Sequence, residues 1–192
     1  MLPIARLIAR VVMVATTACA GTAVAEPYVT HTDLELRVGE EWLCGTCDPH
    51  RARTTVQVFA DRLFPIKPIG DGMLEVGPYL KGALLDGGHV PQIAGGAVVG
   101  YRFDRYEVLV NVGIAYAADK IGSPNSPGSS DSSQTNLTYD LGLSLRYDIN
   151  QYYLSVGYQH NSNGEDYGLN ILGSKEHNPG IDALFVGAGV RF

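Results

Sequence analysis

His160 and Ser162 stand two residues apart in a stretch that begins at Tyr152, and Asp182 opens the next stretch that alternates in the same way. An imidazole, a hydroxyl and a carboxylate are the parts of a nucleophile–base–orienter set. The imidazole takes the hydroxyl proton, and the acid fixes the imidazole tautomer and stabilises the imidazolium. Residues two apart on a strand share a face with Cα atoms about 6–7 Å apart, which lets an imidazole reach a hydroxyl. The face itself is unusual. Tyr152, Leu154, Val156 and Tyr158 lead up to His160 and Ser162 on one face, and Leu184, Val186, Ala188, Val190 and Phe192 continue the face of Asp182. Three polar groups thus stand on apolar faces, at the same end of two neighbouring antiparallel strands. Spacing alone leaves a plainer reading open, in which they form the polar rim where strands enter a loop.

The elements that must position these residues are strands. Eight segments alternate with a period of two: about 30–39, 54–63, 74–85, 92–103, 106–118, 136–149, 151–162 and 181–192. The pattern is cleanest in the fifth and sixth. Tyr106, Val108, Val110, Val112, Ile114 and Tyr116 oppose Glu107, Asn111 and Gly113. Leu137 through Ile149 alternate with Thr138, Asp140, Gly142, Ser144, Arg146 and Asp148. The second segment is the weakest, because Phe59 falls on its polar face. Tight turns at 103–106 and 149–151 alternate with long connections at 119–135 and 163–180, whereas 64–73 reads as a rather long loop. An even number of antiparallel strands with short turns at one end and long loops at the other predicts an all-β, eight-stranded, up-and-down barrel.

Alternation does not say which face points out. A soluble barrel of the lipocalin kind would turn the apolar face inward, and a transmembrane barrel does the reverse. The polar face here is small and glycine-rich with scattered charges, unlike a Lys/Glu-rich soluble surface. Tyr101, Phe103, Tyr106, Tyr116, Tyr147, Tyr152 and Tyr158 sit at the ends of apolar faces, as girdle residues do, and the chain ends on a strand with a terminal Phe. These features favour an outer-membrane barrel. Glu75, Lys81, Arg102, Glu107, Asp140 and Arg146 then face the interior and are expected to pair there, since unpaired buried charges are costly. Eight strands leave room for side chains and not for a wide pore. With the apolar face outward, His160, Ser162 and Asp182 face lipid. Ten tilted strand residues climb roughly 25 Å, so Ser162 and Asp182 reach the top of an apolar band about 25 Å tall. A set placed there would act on a molecule dissolved in the membrane.

Length and composition agree with one such domain. The chain has 192 residues, and its 18% charged residues fall below the usual quarter. The net charge of −6 leaves no footprint for nucleic acid. Arg6 and Arg10, the apolar run from Val11 to Ala15 and the Ala23-Val24-Ala25 pattern predict a secretory signal over residues 1–25, with the barrel domain over 26–192. Removing the signal also removes Cys19. The remaining Cys44 and Cys47 form a C-x-x-C that, in an exported protein, predicts a local disulfide in the first external loop. A zinc site with His31 or His50 is the weaker alternative. No metal or cofactor is expected, and the spacing of Asp131, Glu165, Asp166 and Glu176 requires none.

The C-terminal 35 residues resemble the outer-membrane lipid A 3-O-deacylases, the PagL family. The likeness rests on His160-Asn161-Ser162-Asn163 and on Asn178-Pro179-Gly180-Ile181-Asp182. It implies Ser162 as nucleophile, His160 as base and Asp182 as the acid, with Asn163 as an oxyanion-hole side chain. The family's second donor is the backbone amide of a Gly two residues past that Asn. Glu165 occupies that position here, and Gly168 is the match if three residues are inserted. Asp182 is one methylene shorter than the family's Glu, and the loop 164–177 is longer. The resemblance implies an ester hydrolase of the Gram-negative outer membrane acting on lipid A or lipopolysaccharide. Two other functions stay open on the residues alone: a non-catalytic barrel displaying loops for adhesion or anchoring the envelope, and an outer-membrane phospholipase. Inward-pointing or separated side chains at 160, 162 and 182 would favour the non-catalytic barrel.

Overall fold

A strand that alternates strictly is satisfied only when its two faces meet different surroundings. The computed structural model of the chain describes residues 29–43, 52–118, 137–162 and 180–192. They form eight antiparallel strands: β1 (His31–Leu43), β2 (Arg53–Ile69), β3 (Gly72–Leu85), β4 (Val90–Phe103), β5 (Tyr106–Ala117), β6 (Leu137–Ile149), β7 (Tyr152–Ser162) and β8 (Ile181–Arg191). Each strand pairs with its sequence neighbour, and β8 pairs back onto β1, so the sheet closes into a barrel. Closure removes the edge strands and lets a sheet sit in lipid with its backbone groups paired.

The apolar faces point outward. Val110, Val112 and Ile114 on β5 and Leu141, Leu143 and Leu145 on β6 are exposed, while Leu109, Asn111, Ala115, Asp140, Ser144 and Arg146 between them are buried. At one end of the wall the rings of Tyr101, Phe103 and Tyr106 stack at 5.7 and 5.6 Å, and Tyr147 meets Tyr106 at 5.3 Å. Such a belt suits a membrane interface. The same end carries three tight turns, in which Gly70, Asp104 and Asn150 take φ of 57°, 51° and 60°. Gly, Asp and Asn are the residues that tolerate this left-handed region. Longer connections lie at the other end. Of these, the link between β3 and β4 includes the 3-10 turn Asp86–Gly88.

One expectation fails. Residues 64–73 are not a loop: β2 continues to Ile69 and turns tightly through Gly70 into β3. Pro65 and Pro68 lack the N–H that a ladder uses, which hides a strand from pattern reading. The structure absorbs the irregularity as a bulge, with Pro65 opposite Glu75 and Lys67 opposite Leu74, so that Ile66 has no partner in the register. All three connections at this end are therefore short.

The interior is packed with side chains. Phe59, off-pattern in the sequence, lies inside, stacked on Tyr79 at 5.2 Å with the Arg37 guanidinium 3.8 Å from its ring centre. The expected interior charges do pair. Lys81 bonds Asp140, Arg102 reaches Glu75 at 2.9 Å, and Arg146 reaches Glu107 at 3.3 Å. The network extends to β1, β2 and β8. Arg146 also donates to Asp33, Asp61 and Glu35 at 2.8, 2.6 and 3.1 Å, and Arg191 donates to Asp33, Glu107 and Asp148. Arg37 adds a pair with Glu35 at 2.8 Å. Some of these bonds join neighbouring strands, and those from Arg146 to Asp33, Glu35 and Asp61 cross the interior, where low polarity strengthens them.

Candidate active site

His160 lies on β7 directly opposite Asp182 on β8. That register follows from the apolar alternation of both strands, because a one-residue slip would turn every side chain to the wrong face. His160 Nδ1 is 2.7 Å from Asp182 Oδ1, and Nε2 is 3.0 Å from Ser162 Oγ. The imidazole therefore bridges an acid and a hydroxyl through its two nitrogens. If Asp182 is ionised it can only accept, so Nδ1 carries the proton, and neutral Nε2 is left as the acceptor of the Ser162 hydroxyl. This is the arrangement in which a serine proton can pass to a base.

The three side chains point out of the barrel. They share the face of exposed Tyr152, Val156 and Tyr158, whereas Tyr153, Ser155, Gln159 and Asn161 face inward. Gln159 bonds the interior Asp140 at 2.9 Å, which fixes the sense of the strand. The site lies at the end away from the tight turns, as the sequence predicts. It is more sheltered than a bare lipid-facing wall. His160, Ser162 and Asp182 are 8, 7 and 6% exposed, against 49% for Val156 and 55% for Leu184 lower on the same faces.

Two contacts were not legible in the sequence. The Tyr158 hydroxyl donates to Asp182 Oδ1, the oxygen that also receives His160. Tyr158 reads as a girdle residue, yet its place two before His160 on one face is a signal that could have found it. Gly180 precedes β8 with φ of 75°. A Cβ there would lie 3.1 Å from His160 Cε1, 3.1 Å from Ser162 Cβ and 2.9 Å from the Asn161 carbonyl oxygen. Glycine thus serves both a left-handed backbone and a close approach of β8 to the site. Asn163 and Gly168, read as oxyanion donors, and Cys44 and Cys47, read as a disulfide, lie outside the described residues, as does the signal segment 1–25.

Comparison with known proteins bears on the family and the fold. The family model described as Lipid A 3-O-deacylase (PagL) matches residues 72–191, from β3 to the end of β8. No curated protein sequence matches the chain. Among solved structures, the outer membrane enzyme PagL aligns with a TM-score of 0.61 at 16% identity, covering 82% of this chain and 98% of that one. Ail, the attachment invasion locus protein of Yersinia pestis, aligns with a TM-score of 0.48 at 12% identity, covering 86 and 100%. Neisserial surface protein A aligns at 0.45 and 15% identity, covering 85 and 97%. The family match spans more than half of the chain and includes both strands of the site, and the chain therefore belongs to the lipid A 3-O-deacylase (PagL) family, whose members are ester hydrolases of lipid A in the outer membrane.

Proposed function

We propose that the protein is an outer-membrane serine esterase that hydrolyses the 3-O-linked hydroxyacyl chain of lipid A. The observation that carries this reading is the bridge made by His160, 2.7 Å from Asp182 and 3.0 Å from Ser162, on the lipid side of the wall. His160 Nε2 takes the Ser162 proton as Oγ attacks the ester carbonyl. The oxyanion that forms is stabilised by the Asn163 side chain and the Gly168 backbone amide. Collapse returns the proton from His160 to the leaving sugar oxygen and leaves the acyl chain on Ser162. Water, activated by the same imidazole, then releases the hydroxy fatty acid and restores the serine. Asp182 holds the imidazole tautomer and stabilises its charged form. Residues 1–25 direct export, and a Cys44–Cys47 disulfide closes part of the first external loop.

A position level with the outer interface supports an ester carried by an amphiphile in the outer leaflet over a water-soluble ester. The test is mass spectrometry of purified lipid A after incubation with the folded protein. Loss of one hydroxyacyl chain from the 3 position is expected, with glycerophospholipid left intact under the same conditions. Release of fatty acid from glycerophospholipid alone would make the protein a phospholipase and overturn the substrate assignment.

A further inference from the structure

The interior network contains a group that its ion pairs do not satisfy. His31 and Asp33 on β1 and Glu107 on β5 each offer one ligand atom, and these atoms lie within 4.8 Å of one another. All three residues are buried, at 3, 0 and 0% exposed. His31 Nδ1 is 3.2 Å from the Val29 carbonyl oxygen. A carbonyl can only accept, so Nδ1 carries the hydrogen, and in the neutral ring the lone pair belongs to Nε2. That Nε2 lies 3.6 Å from Asp33 Oδ2 and 3.6 Å from Glu107 Oε1. Both distances exceed those of an N–H···O hydrogen bond. Among the described residues, neither His31 Nε2 nor Glu107 Oε1 has a hydrogen-bond partner, and nor does Glu75 Oε2. Asp33 Oδ2 already accepts from Arg146 and Arg191 at 2.8 and 2.9 Å, so the uncompensated contact is that of the His31 lone pair with Glu107 Oε1, which is unfavourable unless positive charge stands between them.

The charge balance points the same way. Among the described residues, the network joins the carboxylates of Asp33, Glu35, Asp61, Glu75, Glu107 and Asp148 to the guanidinium groups of Arg37, Arg102, Arg146 and Arg191. The carboxylates exceed the guanidiniums by two. A divalent cation bound by donors at about 2.0–2.2 Å places them roughly 3–4 Å apart, which matches the two 3.6 Å separations. An imidazole whose second nitrogen is anchored to a backbone carbonyl is the usual form of a metal-bound histidine.

We propose that His31, Asp33 and Glu107 form a site for one divalent transition-metal cation inside the barrel near the tight-turn end. One imidazole with two carboxylates suits zinc or manganese. The ion neutralises the excess of carboxylate and fastens β1 to β5 across the interior. It lies on the opposite side of the wall from His160 and at the opposite end, so it is structural and takes no part in ester hydrolysis. The sequence alone predicts no metal, because Glu107 is distant from His31 in the chain and no ligand spacing links them.

The test uses the full mature protein, folded in detergent, freed of metal with a chelator and titrated calorimetrically with Zn²⁺. One saturable equivalent is expected, and it persists in His160→Ala and in Cys44→Ser. In His31→Gln, checked for folding by its gel mobility before and after heating, affinity falls on the order of 100-fold. X-ray absorption at the zinc edge of the wild-type protein supplies an arm that does not depend on any variant. The expected first shell contains imidazole nitrogen and oxygen at about 2.0–2.1 Å and no sulfur. Absence of binding, a sulfur ligand, or unchanged affinity in folded His31→Gln would each overturn the site. The first of these outcomes would make His31 a buried imidazolium.

Discussion

Two clusters of buried ionisable groups lie on either side of the barrel wall, and they are organised differently. Inside, Arg146 on β6 meets four carboxylates: Glu107, its register partner on neighbouring β5, and Asp33, Glu35 and Asp61, reached across the interior on β1 and β2. Outside, Asp182, His160, Ser162 and Tyr158 are neighbours on β7 and β8 alone. The interior cluster joins opposite charges, so removing one partner would strand the others. The outer cluster hands a hydroxyl to a base and a base to an acid. Burial of polar groups is therefore no sign of function by itself. The sequence of donors and acceptors, and the medium on that side of the wall, make the difference.

Substitutions should separate the two clusters. Ser162→Ala and His160→Ala are expected to lower lipid A deacylation by about 10⁴-fold or more, with unfolding in urea unchanged, because the residues of such a set act as a unit. Asp182→Asn should cost about 10³-fold, less than loss of the nucleophile, because the imidazole retains the serine. Arg146→Leu should do the reverse. It strands several buried carboxylates and should destabilise the barrel by about 3–5 kcal/mol, while folded protein keeps its activity. A large loss of activity in folded Arg146→Leu would erase the distinction between the clusters.

Smaller effects sharpen it. Gly180→Ala places a Cβ against His160 and Ser162 and forces a left-handed alanine, at a cost of about 1–2 kcal/mol. Activity should fall more than stability does, about 10- to 100-fold, because a misplacement of about 1 Å at the site is amplified in rate. Tyr158→Phe removes one hydrogen bond to Asp182, worth about 1 kcal/mol, and should lower kcat about fivefold with KM unchanged. Equal loss in Tyr158→Phe and Asp182→Asn would make the tyrosine a partner in the chemistry and not a support for the acid.

Much of this was legible without coordinates, for physical reasons that differ along the chain. β5 and β6 declare themselves because lipid on one side and packed polar groups on the other enforce an unbroken period of two. The end of β2 does not, because Pro65 and Pro68 erase the ladder donors that strand patterns presuppose and a bulge shifts the register. Phe59 looked misplaced only because an interior can hold an aromatic ring beneath arginines. His160, Ser162 and Asp182 stood out as polar groups on apolar faces, and β7–β8 pairing brings them together as that patterning requires. The interior acids of β1 alternate visibly with Leu34, Leu36 and Val38, yet their partners were hidden. Asp61 and Arg146 are 85 residues apart, and no local period encodes a contact across a barrel. The resemblance read from residues alone covers the last 35, whereas the family match begins at residue 72.

The central claim is that His160 activates Ser162 on the lipid side of the wall. An alkyl fluorophosphonate reacts with a serine oxygen where a base withdraws its proton. Incubation of the folded protein with this reagent, followed by peptide mass spectrometry, should give a single adduct on Ser162. The adduct should be lost in Ser162→Ala and form at least ~100-fold more slowly in His160→Ala. Labelling of Ser162 at the same rate with and without the imidazole, or a principal adduct on another residue, would contradict it.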